Sequence, residues 1–208
     1  MNTTYIKATA SGGGGSSIST ATLMKTGQTT SYRTGDDGDL QEGRNVDFFT
    51  LAENNVFGTT DRFTDELGGQ VYANDIVIDW STFNGSTVLG WYRIRGTYTD
   101  ISWNDAIDNS LLFSIGTFTS GWRLPNMQEL MSIINYSTIL PYDYTPINQS
   151  LSGVSFWSAT TDPATTSNAL IFRNAWNGHT NTRIKTNTST SYRAMPCRTF
   201  TVTGTTLS

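Results

Sequence analysis

Apolar positions along this chain switch between two spacings, and the switches mark out its elements. Across residues 57–95 short apolar runs alternate with glycine- and asparagine-rich breaks. Arg62-Phe-Thr-Asp leads to Gly68-Gly69, Ile76-Val-Ile precedes Trp80, and Asn84-Gly85 comes before the return run at residues 88–94. Runs of this kind bounded by turn residues predict strands, and Asn-Gly is a strong hairpin signal. At Ser102 the spacing lengthens to the three-and-four rhythm of a helix, with Trp103, Ala106, Ile107 and Leu111 on one face. Ser102 is placed as the N-cap of that helix and Asp105 as its capping-box partner.

The pattern is clearest across residues 121–136. A turn or strand ends in Pro125, Asn126 stands at an N-cap, and Glu129 follows as the capping-box partner. Met127, Leu130, Met131 and Ile134 then recur at helical spacing, which predicts a buried face. Just before the cap, Trp122 and Leu124 flank Arg123, whose guanidinium is expected to reach Glu129 and nearby carbonyls and lock the loop to the helix; a grip on an anionic sugar is the alternative. Trp122 and Trp157 read as core residues, because tryptophan buries a large apolar area. After a loop at 141–146, strands are expected at 154–160 and 169–173, a turn at 176–179, and closing segments at 183–185 and 192–198. Two helices among many short strands predict an α+β domain, not a parallel βαβ array.

Composition narrows the function classes. Charged residues make up 14% of the 208 residues, against about 25% in ordinary globular chains, and Thr, Ser, Asn and Gly fill the difference. That balance suits β-rich surfaces and extracellular or virion proteins better than a helical cytosolic enzyme. The aromatic share of 12%, with six Trp, suits a sandwich-like core or a sugar-binding surface. A net charge of −4 leaves no basic stripe for nucleic acid, and no apolar run is long enough to span a membrane. Cys197 is the sole cysteine and reads as a small buried hydrophobe; with one histidine in the chain, zinc is not expected. The first residues lack an apolar signal-peptide core, so export by the general secretory route is not expected. Ser-Gly-Gly-Gly-Gly-Ser-Ser at 11–17 reads as a tether. Residues 1–22 are therefore expected to be an extended arm that anchors a domain at 23–208 to a neighbouring subunit or a larger assembly.

Several motifs then fall in a recognisable order. They are Lys25-Thr-Gly-Gln-Thr-Thr-Ser-Tyr with Thr34-Gly-Asp-Asp-Gly-Asp-Leu, Arg62-Phe-Thr-Asp, Trp103-x-x-Ala106, Gly121-Trp-Arg-Leu-Pro125 with Glu129-Leu130, Phe156-Trp-Ser-Ala-Thr, and residues 192–198. Together they resemble the Lcl C-terminal-domain-like family, which includes the C-terminal domain of a bacterial collagen-like adhesin. The resemblance spans residues 23–200, although residues 76–93 follow the family's Thr-Gly-Leu-x-Trp segment only loosely. It implies a C-type-lectin-like domain, with two helices flanking short antiparallel strands and a long loop region used for binding. Domains of that kind occur in bacterial surface proteins and in bacteriophage virion proteins.

Candidate chemistry is sparse. Asp36, Asp37 and Asp39 invite a Ca2+ reading, but the run lacks the ligand spacing of an EF-hand. A glycine turn with solvated carboxylates is the plainer reading, and a bound cation is the alternative. Trp103-Asn104-Asp105 has the letters of a calcium–sugar motif, yet Asp105 is explained as a cap. Trp176-Asn177-Gly178 lacks the acid. No nucleophile motif accompanies His179, so no catalytic residue and no cofactor is assigned. Binding is placed instead on C-terminal loops carrying Trp176, Asn177, His179, Asn181 and Arg183, extended by Tyr142 and Tyr144. This mixture of aromatic area, amides and a cation serves adaptable recognition. The expected protein is a bacteriophage virion component, a capsid decoration or a tail or fibre tip. It would attach to a host-surface glycan or protein and be held by its arm to other virion proteins as a homo-oligomer, a trimer. A bacterial cell-surface adhesin is the alternative, and a glycan-cleaving virion enzyme using paired carboxylates is the second.

Overall fold

A computed structural model of the chain describes residues 30–40, 48–51, 53–69, 75–93, 99–135, 154–173, 179–188 and 191–208. The side chains of Asp37 and His179 are outside that set, as are the 1–22 arm and the 141–146 loop. In chain order the elements are α1 (Asp37–Leu40), β1 (Phe63–Thr64), β2 (Ile76–Asp79), a 3-10 turn (Trp80–Thr82), β3 (Thr87–Tyr92), α2 (Trp103–Leu111) and β4 (Trp122–Arg123). There follow α3 (Met127–Ser132), β5 (Ser155–Thr161), β6 (Asn168–Arg173), β7 (His179–Ile184), β8 (Tyr192–Arg193), β9 (Cys197–Thr203) and β10 (Thr206–Leu207). The result is a mixed α/β structure with two main helices, α2 and α3, and two sheets rich in antiparallel pairs. No helix among the described residues is long and apolar enough to cross a membrane.

The first sheet runs β1-β2-β3-β9-β10, with β4 also paired to β9. Strand β9 is its centre: Arg198 lies opposite Gly90 on β3 and opposite Trp122 on β4. Gly90 is required there, because a Cβ would come within 2.4 Å of the Phe200 ring and 2.9 Å of Ile78. The second sheet runs β7-β6-β5-β8, and its β5–β8 pair is parallel, a departure from the purely antiparallel expectation. The β2–β3 hairpin turns at Asn84-Gly85 through a longer connection than a two-residue loop. Asp79 caps the 3-10 turn by accepting from the Ser81 amide, and the Asn84 side chain then accepts from the amides of Ser86 and Thr87.

Two apolar clusters fill the interior. One gathers Trp91, Trp122, Phe113, Phe200 and Phe156; the other gathers Trp157, Leu124, Ile171 and Tyr192. Phe156 and Trp157 are consecutive on β5, so the alternation of a strand sends one into each cluster. The helix faces differ from expectation. Leu111 is 57% exposed and Met131 is 42% exposed. In α2 the buried line is Ala106 and Ser110, and the Ser110 hydroxyl donates to the Ala106 carbonyl at 2.7 Å. That bond satisfies the hydroxyl at the one position directly below Ala106, while Leu111 is rotated about 100° further round. In α3 the helix stops at Ser132, so Ile133 and Ile134 enter the core from beyond it and Met131 faces solvent.

Arg62 forms a fully buried ion pair with Asp79. Its Nε and Nη2 donate to the two Asp79 oxygens, each at 2.8 Å. Nη2 also donates to the Ser132 carbonyl at 2.8 Å, and Nη1 to the Phe48 carbonyl at 3.3 Å. The guanidinium lies 4.5 Å and 4.4 Å from the centroids of the Phe48 and Phe63 rings. Removing one partner of such a pair leaves an uncompensated buried charge. Arg62→Met is therefore expected to destabilise the fold by about 3–5 kcal/mol, and Arg62→Met with Asp79→Leu by clearly less than the two single changes added together. Urea unfolding of the three variants measures this; strictly additive losses would show that the two groups are not coupled.

Candidate functional site

The Gly121–Glu129 region is a frame built from local chemistry. Asn126 caps α3 by accepting from the Glu129 amide at 2.9 Å, and Glu129 Oε2 accepts from the Asn126 amide at 2.8 Å. Arg123 approaches the same carboxylate end-on: Nη1 donates to Oε2 at 2.8 Å and Nη2 donates to Oε1. Trp122 Nε1 donates to the Phe118 carbonyl and Trp157 Nε1 to the Ile101 carbonyl. The Pro125 carbonyl accepts from the Ala159 amide at 2.7 Å and the Met127 amide donates to Thr160 Oγ1 at 3.0 Å, which ties the start of α3 to β5. Leu124 and Trp157 share the second cluster. Trp122, Arg123, Leu124, Pro125, Glu129 and Trp157 thus all make contacts within the chain that tie the loop, α3 and β5 together.

The electrostatics follow from these contacts. Burial alone would raise the Glu129 carboxyl, but hydrogen bonds from Arg123 and the Asn126 amide outweigh it and hold Glu129 below the ordinary carboxylate range. The bond to Glu129 in turn raises Arg123 further above its already high value. Beneath them, burial pushes the Cys197 thiol up to about 12 despite the nearby Arg123 charge. A thiol so protonated is not a nucleophile near neutral pH.

The expected recognition residues fall differently. Asn181 and Arg183 lie inside β7, opposite Ile171 and Ala169, and His179 opens the same strand opposite Arg173; none of the three stands on a turn or loop. The stretch His-Thr-Asn-Thr-Arg-Ile is polar enough to read as loop because β7 stands at the end of its sheet. Alternation places Asn181 and Arg183 on one face of β7, and the structure joins them to Tyr192. Arg183 Nε donates to Tyr192 Oη at 2.8 Å, and Nη1 donates to the Thr182 carbonyl at 2.8 Å and to Asn181 Oδ1 at 3.4 Å. This cation is therefore held by its own sheet. Trp176, Asn177, Tyr142 and Tyr144 lie outside the described residues.

The acidic turn is used locally. Asp36 accepts from the amides of Tyr32, Arg33 and Asp39, and Asp39 accepts from the Gly35 amide. The Tyr32 amide above all holds the Asp36 carboxyl below its usual range. These oxygens cap a helical turn instead of converging on a point. Among the described residues no three His, Cys, Asp or Glu side chains gather closely enough to hold a metal ion.

Two surface clefts were not legible in the sequence, because their linings come from distant segments. One, of about 360 Å³, lies between α3 and strands β3 and β9. The other, of about 660 Å³, is lined by Glu66, Asp75, Ile76, Ile115, Phe118 and Leu207 among others. Burial, then the charges of Asp65 and Asp75, push the Glu66 carboxyl up.

With this geometry in place, the Lcl C-terminal domain family model matches residues 81–197, more than half of the chain. The chain belongs to the Lcl C-terminal domain family. The Lcl C-terminal domain match runs from the 3-10 turn to the first residue of β9, so it holds α2, α3 and the whole second sheet. It is narrower than the span of motif resemblance, and Arg62 and Asp79 lie outside it. Comparisons with curated proteins and with solved structures give no match.

The Arg123–Glu129 pair makes stability depend on pH. Glu129 is depressed in the folded chain and titrates near 4.3 when unfolded. Its contribution is present above that value and is lost as pH falls through the folded one. Glu129→Gln should therefore be less stable at pH 7 and show a shallower acid limb than the parent. Urea midpoints measured from neutral to acid pH test this; parallel profiles would exclude the pair as the source.

Proposed function

We propose that this chain is a non-catalytic attachment protein carried on a bacteriophage particle, in which a C-type-lectin-like Lcl C-terminal domain recognises a glycan or protein on the host surface. The observation that carries the binding reading is the fate of the charged side chains. Arg62 and Asp79 neutralise each other in the core, Arg123 and Glu129 do so beside α3, and Asp36, Asp39 and Asp105 cap turns and helices. On β9 the exposed side chains are Thr199, Thr201 and Thr203, and on β7 Thr180 is exposed beside Ile184, so these strands offer hydroxyls for hydrogen-bonded recognition. The C-type-lectin-like architecture is supported by two capped helices packed against strands of two antiparallel-rich sheets. The virion assignment rests on the neutral-polar composition together with family membership. On this reading the residue 174–179 segment, with Trp176 and Asn177, carries the contact surface at the start of β7.

The test is adsorption of the labelled full-length chain to host bacteria. Saturable binding displaced by unlabelled chain is expected, and Trp176→Ala should weaken it by about 1–3 kcal/mol if that aromatic is a hot spot. Mass spectrometry of purified particles should contain the chain. Finding it only on cells that release no particles would move it to the adhesin reading, turnover of a host polysaccharide would make it an enzyme, and no saturable adsorption would overturn attachment.

A further inference from the structure

We propose that the cleft between α3 and strands β3 and β9 is a subsite for one neutral saccharide ring; this names a ligand class for the attachment function and rests on that reading. The cleft holds about 360 Å³, at the lower end of the roughly 300–1,000 Å³ of small-molecule sites. Its floor is the β3–β9 pair, where Leu89 stands opposite Thr199. Its wall is α3 and its cap, presenting Asn126, Gln128 and Glu129.

The lining selects by charge. Among the described residues its one ionised group, Glu129, is neutralised by Arg123 across two hydrogen bonds, so a cationic ligand meets a charge already compensated. The same pairing removes Arg123 as a grip for an anion. An apolar ligand would bury hydroxyls and amides without partners, which is unfavourable. A neutral ring with several hydroxyls satisfies the site. A carboxylate offers about four acceptor positions; Arg123 and the Asn126 amide take three on Glu129, two of them on Oε2. One remains on Oε1 for a sugar hydroxyl. The exposed Gln128 amide and Thr199 hydroxyl supply donors and acceptors on either side. The apolar part of the floor is the Leu89 side chain, since alternation turns the adjoining Val88 into the core; a single apolar contact among hydroxyls and amides suits the C–H face of one pyranose.

The wall is rigid enough to select. Its start is fixed by the capping box and Arg123, and its end by the Arg62 bond to the Ser132 carbonyl. Gln128 and Thr199 take no part in either device, so replacing them tests the cleft without dismantling the fold.

Amide NMR of the full chain, titrated with glucose, galactose and N-acetylglucosamine and in parallel with glucuronate, reads the proposal out. At least one neutral sugar should shift the amides around Gln128 and Thr199, and glucuronate, whose carboxylate would meet Glu129, should bind more weakly. Gln128→Ala and Thr199→Val should each weaken the neutral sugar by about 2- to 10-fold, the loss of one hydrogen bond, with unchanged thermal unfolding. No shift at these amides, equal response to glucuronate, or unaltered binding by both variants would overturn the subsite. A tripeptide of neutral residues that shifts the same amides more strongly than any sugar would also overturn it. Running the cell-adsorption assay on the double variant separates the two readings. Unchanged adsorption there leaves attachment standing and removes this cleft from it, whereas sugar shifts in a parent chain that adsorbs to no cell sustain the cleft and remove attachment.

Discussion

The buried Arg62–Asp79 pair is the constraint to which the first sheet answers. A guanidinium enclosed at 0% exposure must have its donors met, since the desolvation penalty for each ion is several kcal/mol. Here the partners come from four places: Asp79 at the end of β2, the Phe48 carbonyl, the Ser132 carbonyl at the end of α3, and the faces of Phe48 and Phe63. Meeting them together fixes β1 against β2 in the register that sets Phe63 opposite Asp79. A slip of one residue would turn Asp79 to the other face of the sheet and strand the cation. The contact with Ser132 also sets a positive group at the carboxyl end of α3, the favourable end for it.

Helix α3 is thereby held at both ends by arginines of different character. Arg62 is buried and its removal affects the core. Arg123 is partly exposed, so solvent screens its pairing with Glu129 and its value lies in geometry more than in free energy. The short helix has too few turns to be stable alone, and these two contacts, with the bonds from Pro125 and Met127 to β5, hold it across both sheets. The cleft wall and the join between the two apolar clusters are consequences of the same clamping.

What was legible in the sequence was what is local. Both capping boxes could be read because the cap and its partner are three residues apart and their bonds close within one turn. Asn84-Gly85 announced its hairpin for the same reason. The burial of Leu111 and Met131 was misjudged because a helical face is set by what packs on it. Ser110, polar but satisfied by the Ala106 carbonyl, took the place expected of a leucine. Arg62 and Asp79, seventeen residues apart, carry no local signal of pairing, and neither does the Arg62 bond to Ser132. Strand β7 was hidden by its own chemistry: an edge strand with one side wet can be built from Thr, Asn and Arg, and such a run has the composition of a loop. Its arginine then looked available, although it is engaged by Tyr192 and Thr182.

The low charge of the chain has a consequence for how attachment would work. Recognition by hydroxyls and amides is little affected by salt, unlike steering between charged surfaces, so a neutral cleft would serve over a wide range of ionic strength. The cost is affinity. A few neutral hydrogen bonds contribute about 0.5–1.5 kcal/mol each, and among the described residues no aromatic ring lines this cleft to add stacking. One cleft of this kind holds a sugar only weakly, and firm attachment through it requires several copies presented together, where each later contact forms at a high effective concentration. An assembly of identical chains, whether a trimer or a larger array, is therefore what the proposed mode of binding demands of its surroundings, independently of any property of the chain's own surface.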